Sequence, residues 1–179
     1  MTTKALFYIV AVILTIFSPW SFADKISPVT KADFSIFISG HSLSIGDQWS
    51  EKTLKLAGTE KSNEFVGDVA FGDVNYKFWQ HNYPGYSIYS SNFLWDKQQR
   101  SVDSYIVAQI SLDSAVIVTY RGVKVGDSKN KVVDKYGAGI IDDSEERHSL
   151  VYESDDKRIA FQIENGKVSY ITLLLKKTE

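Results

Sequence analysis

The chain has 179 residues and a formal net charge of −2, with 13% aromatic residues and no cysteine. The aromatic content exceeds what a disordered chain carries, and the lack of thiols excludes a disulfide scaffold. Near-neutral charge removes the broad electrostatic attraction that nucleic acid or an anionic lipid surface would require.

The first element in chain order is a leader. Lys4 precedes an uncharged run over 5–17, then Pro19, and Ser21-Phe22-Ala23 places small residues three and one positions before Asp24. This pattern predicts a signal peptide over 1–23, cleaved after Ala23, because the run is shorter than the roughly 20 residues a membrane-spanning helix needs. With no cysteine to acylate, the expectation is a periplasmic or secreted protein without a stable membrane anchor.

Phe34, Ile36 and Ile38 alternate with Ser35, Phe37 and Ser39, predicting a first strand that ends at Gly40-His41. Leu43-Ser44-Ile45-Gly46-Asp47 follows as a turn, and the spacing of Trp49, Thr53, Leu54 and Ala57 predicts a short helix closed by Gly58. Strand-like segments come at 73–80, 85–91, 105–112 and 116–120, rich in aromatic and β-branched residues, and they predict an antiparallel meander. Pro84-Gly85 marks one turn; 96–103 makes a longer loop.

About eighty residues after the first turn the pattern returns, as Val123-Lys124-Val125-Gly126-Asp127-Ser128, a helix ending at Tyr136-Gly137, and strands at 149–153, 158–164 and 167–175 around an Asn165-Gly166 turn. This recurrence predicts an α+β fold of two related helix-on-antiparallel-sheet units in tandem, 24–120 and 121–179. Ser128 is the expected N-cap of the second helix, with Asp127 as its rival, and Asp47 that of the first. Capping leaves neither aspartate needing a catalytic role. Ile159, Phe161 and Ile163, with Ile171, Leu173 and Leu175, are expected to face a core, and Arg158, Ala160, Gln162, Tyr170 and Thr172 to face away from it.

The phrase from Arg121 to Ser128, the helix to Tyr136-Gly137 and the terminal hairpin from Ile159 to Val168 resemble small exported bacterial domains. These include the outer-membrane assembly lipoproteins of the SmpA/OmlA type and the tandem-repeat beta-lactamase inhibitory protein. The resemblance implies helical segments packed on antiparallel sheet, and a binding role in which inhibitors use a concave, aromatic-rich sheet face. The chain departs from both in having no cysteine, neither for a lipobox nor for intradomain disulfides.

The densest chemistry lies in Tyr76, Phe78, Trp79, His81, Tyr83, Tyr86 and Tyr89, with Phe93 and Trp95 beyond. Alternation puts Tyr76 and Phe78 on one face and Trp79 and His81 on the other, so one core cannot hold every ring. Rings with a polar edge favour interfaces, which nominates Trp79, His81, Tyr83, Tyr89 and Tyr170 as partner-binding residues; internal packing explains the same residues equally well. His41, His81 and His148 show no metal-ligand spacing, and the acids Asp142, Asp143, Glu145 and Glu146, with Asp155 and Asp156, do not form a Ca²⁺ loop. Ser128 and His148 lack a nucleophile-elbow context, and no phosphate loop or dinucleotide fingerprint is present, so no cofactor is expected.

The expected function is a non-catalytic module that binds another protein of the envelope or secreted space, inhibition of an enzyme being one form of this. Two alternatives stay open: an envelope hydrolase acting on glycan or peptide, and a carrier of a small apolar ligand.

Overall fold

The structure, a computed structural model, describes residues 26–143 and 148–176; the leader expected over 1–23, and Glu145 and Glu146 of the acidic stretch, lie outside them. A 3-10 turn, Lys31–Phe34, leads into β1 (Ser35–Ile38), which folds back through Ser39-Gly40 into β2 (His41–Ser44). At Gly46 the backbone adopts φ of 93°, a conformation open to glycine at little cost. The Asp47 carboxylate closes the turn by accepting the Ser44 N–H at 2.8 Å.

The cap of α1 (Glu51–Ala57) is therefore Ser50, whose hydroxyl accepts from Thr53, and not Asp47. Gln48 and Trp49 intervene and put the aspartate out of capping reach. In α2 (Lys129–Tyr136) the cap is Ser128, accepting from Lys131 at 3.2 Å, while Asp127 accepts the Lys124 N–H at 2.9 Å. The two turns close alike. Gly46 donates to Val107 O and Val107 to Asp47 O, just as Gly126 donates to Val168 O and Val168 to Asp127 O.

The remaining strands are β3 (Ser62–Phe71), β4 (Val74–Tyr83), β5 (Tyr86–Ser91), β6 (Ile106–Leu112), β7 (Val118–Thr119), β8 (Ile140–Asp142), β9 (Ser149–Glu153), β10 (Lys157–Glu164) and β11 (Lys167–Leu175). One sheet runs β2-β1-β7. The other has eight strands in the order β3-β4-β5-β6-β11-β10-β9-β8, so two meanders meet edge to edge at β6 and β11. Every pairing in both sheets is antiparallel.

The expected fold class is corrected by this arrangement. Eleven strands in two sheets and only two short helices make the described chain mostly β, not an α+β tandem of helix-on-sheet units. Three details explain the difference. Segment 62–71 is a strand that alternation could not reveal, since all ten of its positions are exposed or half-buried. Ile140–Asp142 adds another strand at the opposite edge, and 118–119 leaves the meander to pair with β1 through Ile36↔Thr119 and Phe37↔Val118.

The core lies between the large sheet on one side and the small sheet with the two helices on the other. Phe34, Ile36 and Leu43 meet Ile88, Ile110, Ile159, Phe161, Ile171 and Leu173, joined by Ala57, Val132 and Tyr136 from the helices. Each such aliphatic or aromatic side chain, fully buried, contributes about 1.5–3 kcal/mol. The Tyr86 hydroxyl ties the sheet to α1 by donating to the Ala57 carbonyl, and Tyr152 ties it to α2 by donating to Gly137 O at 2.7 Å.

Candidate functional site

Residues opposed across an antiparallel pair share a face, so the register sorts the candidates. Tyr89 on β5 is opposed by Gln80 on β4 and Gln109 on β6; Gln109 is in turn opposed by Leu174 and Leu174 by Arg158. The next row carries Asn82, Ser87, Ser111, Thr172 and Ala160, and Tyr170 lies one row further, opposite Gln162. Among the described residues no helix or second sheet covers this face. Most of its side chains are half-buried, because neighbouring strands rather than a second layer shield them.

Amide ladders organise the surface. Gln80 donates to Asn82 at 2.8 Å, Gln109 to Ser111 at 3.0 Å and Gln162 to Glu164 at 2.7 Å, leaving Tyr89 and Tyr170 as the large rings among short and amide chains. Burial chiefly, then the neighbouring Tyr170, raises the Tyr89 phenol above its ordinary value, with a hydrogen bond to Ser87 opposing. A phenol hydroxyl can both donate and accept a hydrogen bond. At one end the face is closed: loop 92–105 folds over it, setting Phe93 edge-on against Tyr76 and Phe71, and Asp96 accepts from the Tyr76 hydroxyl at 2.6 Å.

His81 and Tyr83 lie on the opposite, covered face. His81 is opposed by Ile88 and Tyr83 by Tyr86, both in the core, and the two side chains are buried. Both therefore lie away from the open surface, within the covered side of the sheet. Trp79 shares it but sits beyond the covering elements, 37% exposed and against Phe65 at 5.2 Å between ring centres. The five nominated residues thus divide into a pair on the open face, Tyr89 and Tyr170, a buried pair, His81 and Tyr83, and Trp79 near the β3 edge.

His81 has partners that sequence spacing did not suggest. Its Nδ1 lies 2.6 Å from Glu60 Oε1, its Nε2 lies 2.9 Å from Ser90 Oγ, and the Trp49 ring packs over it at 4.3 Å. Burial pushes the Glu60 carboxyl up, but hydrogen bonds from Asn63 and His81 outweigh it and hold the group below its ordinary value. The atom order is that of an acid–base–nucleophile relay. Ser90, however, is 2% exposed within β5, which gives a substrate carbonyl no approach to its oxygen, so the trio works as a buried polar clamp between β4, β5 and the α1–β3 connection. Ser128 is engaged in capping and His148 pairs with Asp143 at 2.6 Å. Among the described residues no group of three or more His, Cys, Asp or Glu could hold a metal ion, and no helix is long and apolar enough to cross a membrane.

Comparison with protein-family models, with curated proteins and with solved structures finds no match to the chain.

Proposed function

We propose that this chain is an exported, non-catalytic protein-binding module, and that the uncovered face of its eight-stranded sheet grips another protein of the envelope or secreted space. The observation that carries the reading is the placement of Tyr89 and Tyr170 on that face, half-buried and surrounded by Gln80, Gln109, Gln162 and Thr172. Phenolic rings bury a large area with few rotatable bonds, and amides and hydroxyls beside them can satisfy a partner's polar groups. Inhibition of an enzyme is one form such binding takes.

The test is capture of partners from a native envelope extract by the purified protein, compared with Tyr89→Ala combined with Tyr170→Ala. Truncating a central interface ring costs ~2 kcal/mol or more, roughly a thirtyfold loss of affinity. Partners that bind the double variant as tightly as the wild type would refute the assignment.

A further inference from the structure

The two turn-and-helix segments differ in what lies beside them. Next to the second, the chain's own stretch 26–30 runs between the C-terminal turn of α2 and the turn at 119–122. Arg121 holds it there, donating to the carbonyls of Ser27 and Pro28, each at 3.0 Å, and to Lys135 O at 2.8 Å. The same guanidinium meets Asp33 through Nη2 at 2.8 Å and Nε at 2.5 Å. Ile26 approaches Gly137, and Val29 packs on the core. The second groove is therefore partly occupied by 26–30, read through its backbone carbonyls and an apolar contact, with the Asp33 carboxylate following in the 3-10 turn; an open space of about 450 Å³ remains beside Ile26, Asp134 and Lys135.

Next to the first segment the equivalent space is open. Between the C-terminal turn of α1 and the β1–β2 hairpin lies a groove of about 530 Å³ whose lining includes Ile38, Leu56 and Ala57 at its floor and His41, Lys52 and Lys55 at its rim. That volume falls within the range of ordinary ligand sites. His41 stands five residues before Gly46, as Arg121 stands five before Gly126. Among the described residues none of these three rim side chains makes an ion pair or a side-chain hydrogen bond.

We infer that this groove binds an extended segment of another protein, and that the segment it selects is acidic. The partly occupied groove supplies the template. There a stretch of chain gives its carbonyls to a cation that also holds the Asp33 carboxylate just beyond it, and the groove beside α1 offers unpaired cations around an apolar floor in the matching place. An incoming strand sets an apolar side chain on Leu56 and Ile38, turns carbonyls toward His41, and brings an aspartate or glutamate to Lys52 and Lys55. This surface is separate from the open sheet face and does not depend on it.

The probe is a fluorescent peptide with the sequence of residues 26–34 carrying Lys31→Glu, titrated against the whole chain at low salt by anisotropy. Saturable binding is expected, about tenfold weaker for Lys52→Glu combined with Lys55→Glu, and likewise for Leu56→Arg, which blocks the floor without reversing a charge. The Tyr89→Ala, Tyr170→Ala variant should bind as the wild type does, which separates this groove from the sheet-face proposal. Amide resonances that move should belong to 38–42 and 52–58. Three outcomes would overturn the inference: no saturation up to about 1 mM, equal binding by the charge-reversed variant, or shifts confined to 119–122 and 135–137. Tight binding of anionic vesicles that the peptide does not displace would also overturn it, by identifying a lipid surface as the occupant.

Discussion

Asp33 is almost wholly buried, and its carboxylate receives both the Arg121 guanidinium and the Thr30 N–H, the latter at 2.7 Å. Burial alone would push its pKa up; the bonds from Arg121 and Thr30 more than reverse that and hold the group below its ordinary value. A carboxylate depressed on folding contributes stability that is complete above its unfolded pKa, about 4, and is lost as pH falls through the folded value. Urea unfolding should therefore weaken more steeply below about pH 4 in the wild type than in Asp33→Asn; equal slopes would show that Asp33 contributes nothing to acid sensitivity. Arg121→Ala, which leaves that carboxylate buried and unpaired, should cost about 3–5 kcal/mol by the same assay. Tyr83 presents the opposite case. Its hydroxyl is buried without a hydrogen-bond partner while its ring stacks on Tyr86 at 4.9 Å, so Tyr83→Phe keeps the stack and removes a desolvated group. Stability should stay level or rise by about 1 kcal/mol, and a clear loss would mean that the hydroxyl is satisfied. The pairing of Asp33 with Arg121 was not legible in the sequence, nor that of His81 with Glu60, because each partner comes from a distant segment.

At the scale of elements, the local signals in the sequence were dependable where one residue type answers one backbone need. Gly46 and Gly126 take φ of 93° and 90°, and a Cβ at either would meet nothing closer than 4.0 Å, so an alanine there is strained by conformation rather than by crowding. Gly46→Ala and Gly126→Ala should each cost roughly 1–2 kcal/mol in chemical denaturation. Ser50→Ala and Ser128→Ala should cost about 1 kcal/mol each through the lost caps. Asn165 and Gly166 adopt φ of 51° and 74°, the pair of positive angles that a two-residue hairpin turn demands. By contrast β3 could not be read. Glu64, Phe65, Val66 and Gly67 have no period of two, a bulge intervenes between Phe65 and Gly67, and only main-chain pairing with β4 makes them a strand.

For the whole molecule, the seam between β6 and β11 makes the two meanders one cooperative body. Ile110 and Leu173 face each other across it, both fully buried, and β1 reaches over to pair with β7. A single unfolding transition is expected, coincident by far-UV and near-UV circular dichroism; two separated transitions would show that the meanders melt independently. Ile110→Ala or Leu173→Ala should cost about 2–5 kcal/mol, since the cavity opens where two sheet halves join. Tyr89→Ala with Tyr170→Ala should shift stability far less than it shifts partner capture, because these rings sit on the uncovered face rather than in the core.

What the chain carries locally was readable without coordinates: the two Gly-Asp turns, both helices with their closing glycines, the alternation that sends Ile159, Phe161 and Ile163 inward, and the sharing of a face by Trp79 and His81. Turns, caps and alternation depend on backbone angles and the order of neighbours, which the residues themselves impose. Which face is covered depends on what packs against it, and that is a matter of distant segments meeting. Only the tertiary structure joined β6 to β11, moved 118–119 into the small sheet, buried His81 beneath Trp49 and Tyr83 against Tyr86, and left Tyr89 and Tyr170 on the uncovered face. It alone laid residues 26–30 along one groove and no such stretch of the described chain along its counterpart beside α1, because the energy of covering a surface belongs to the pair of surfaces and is written in neither segment separately.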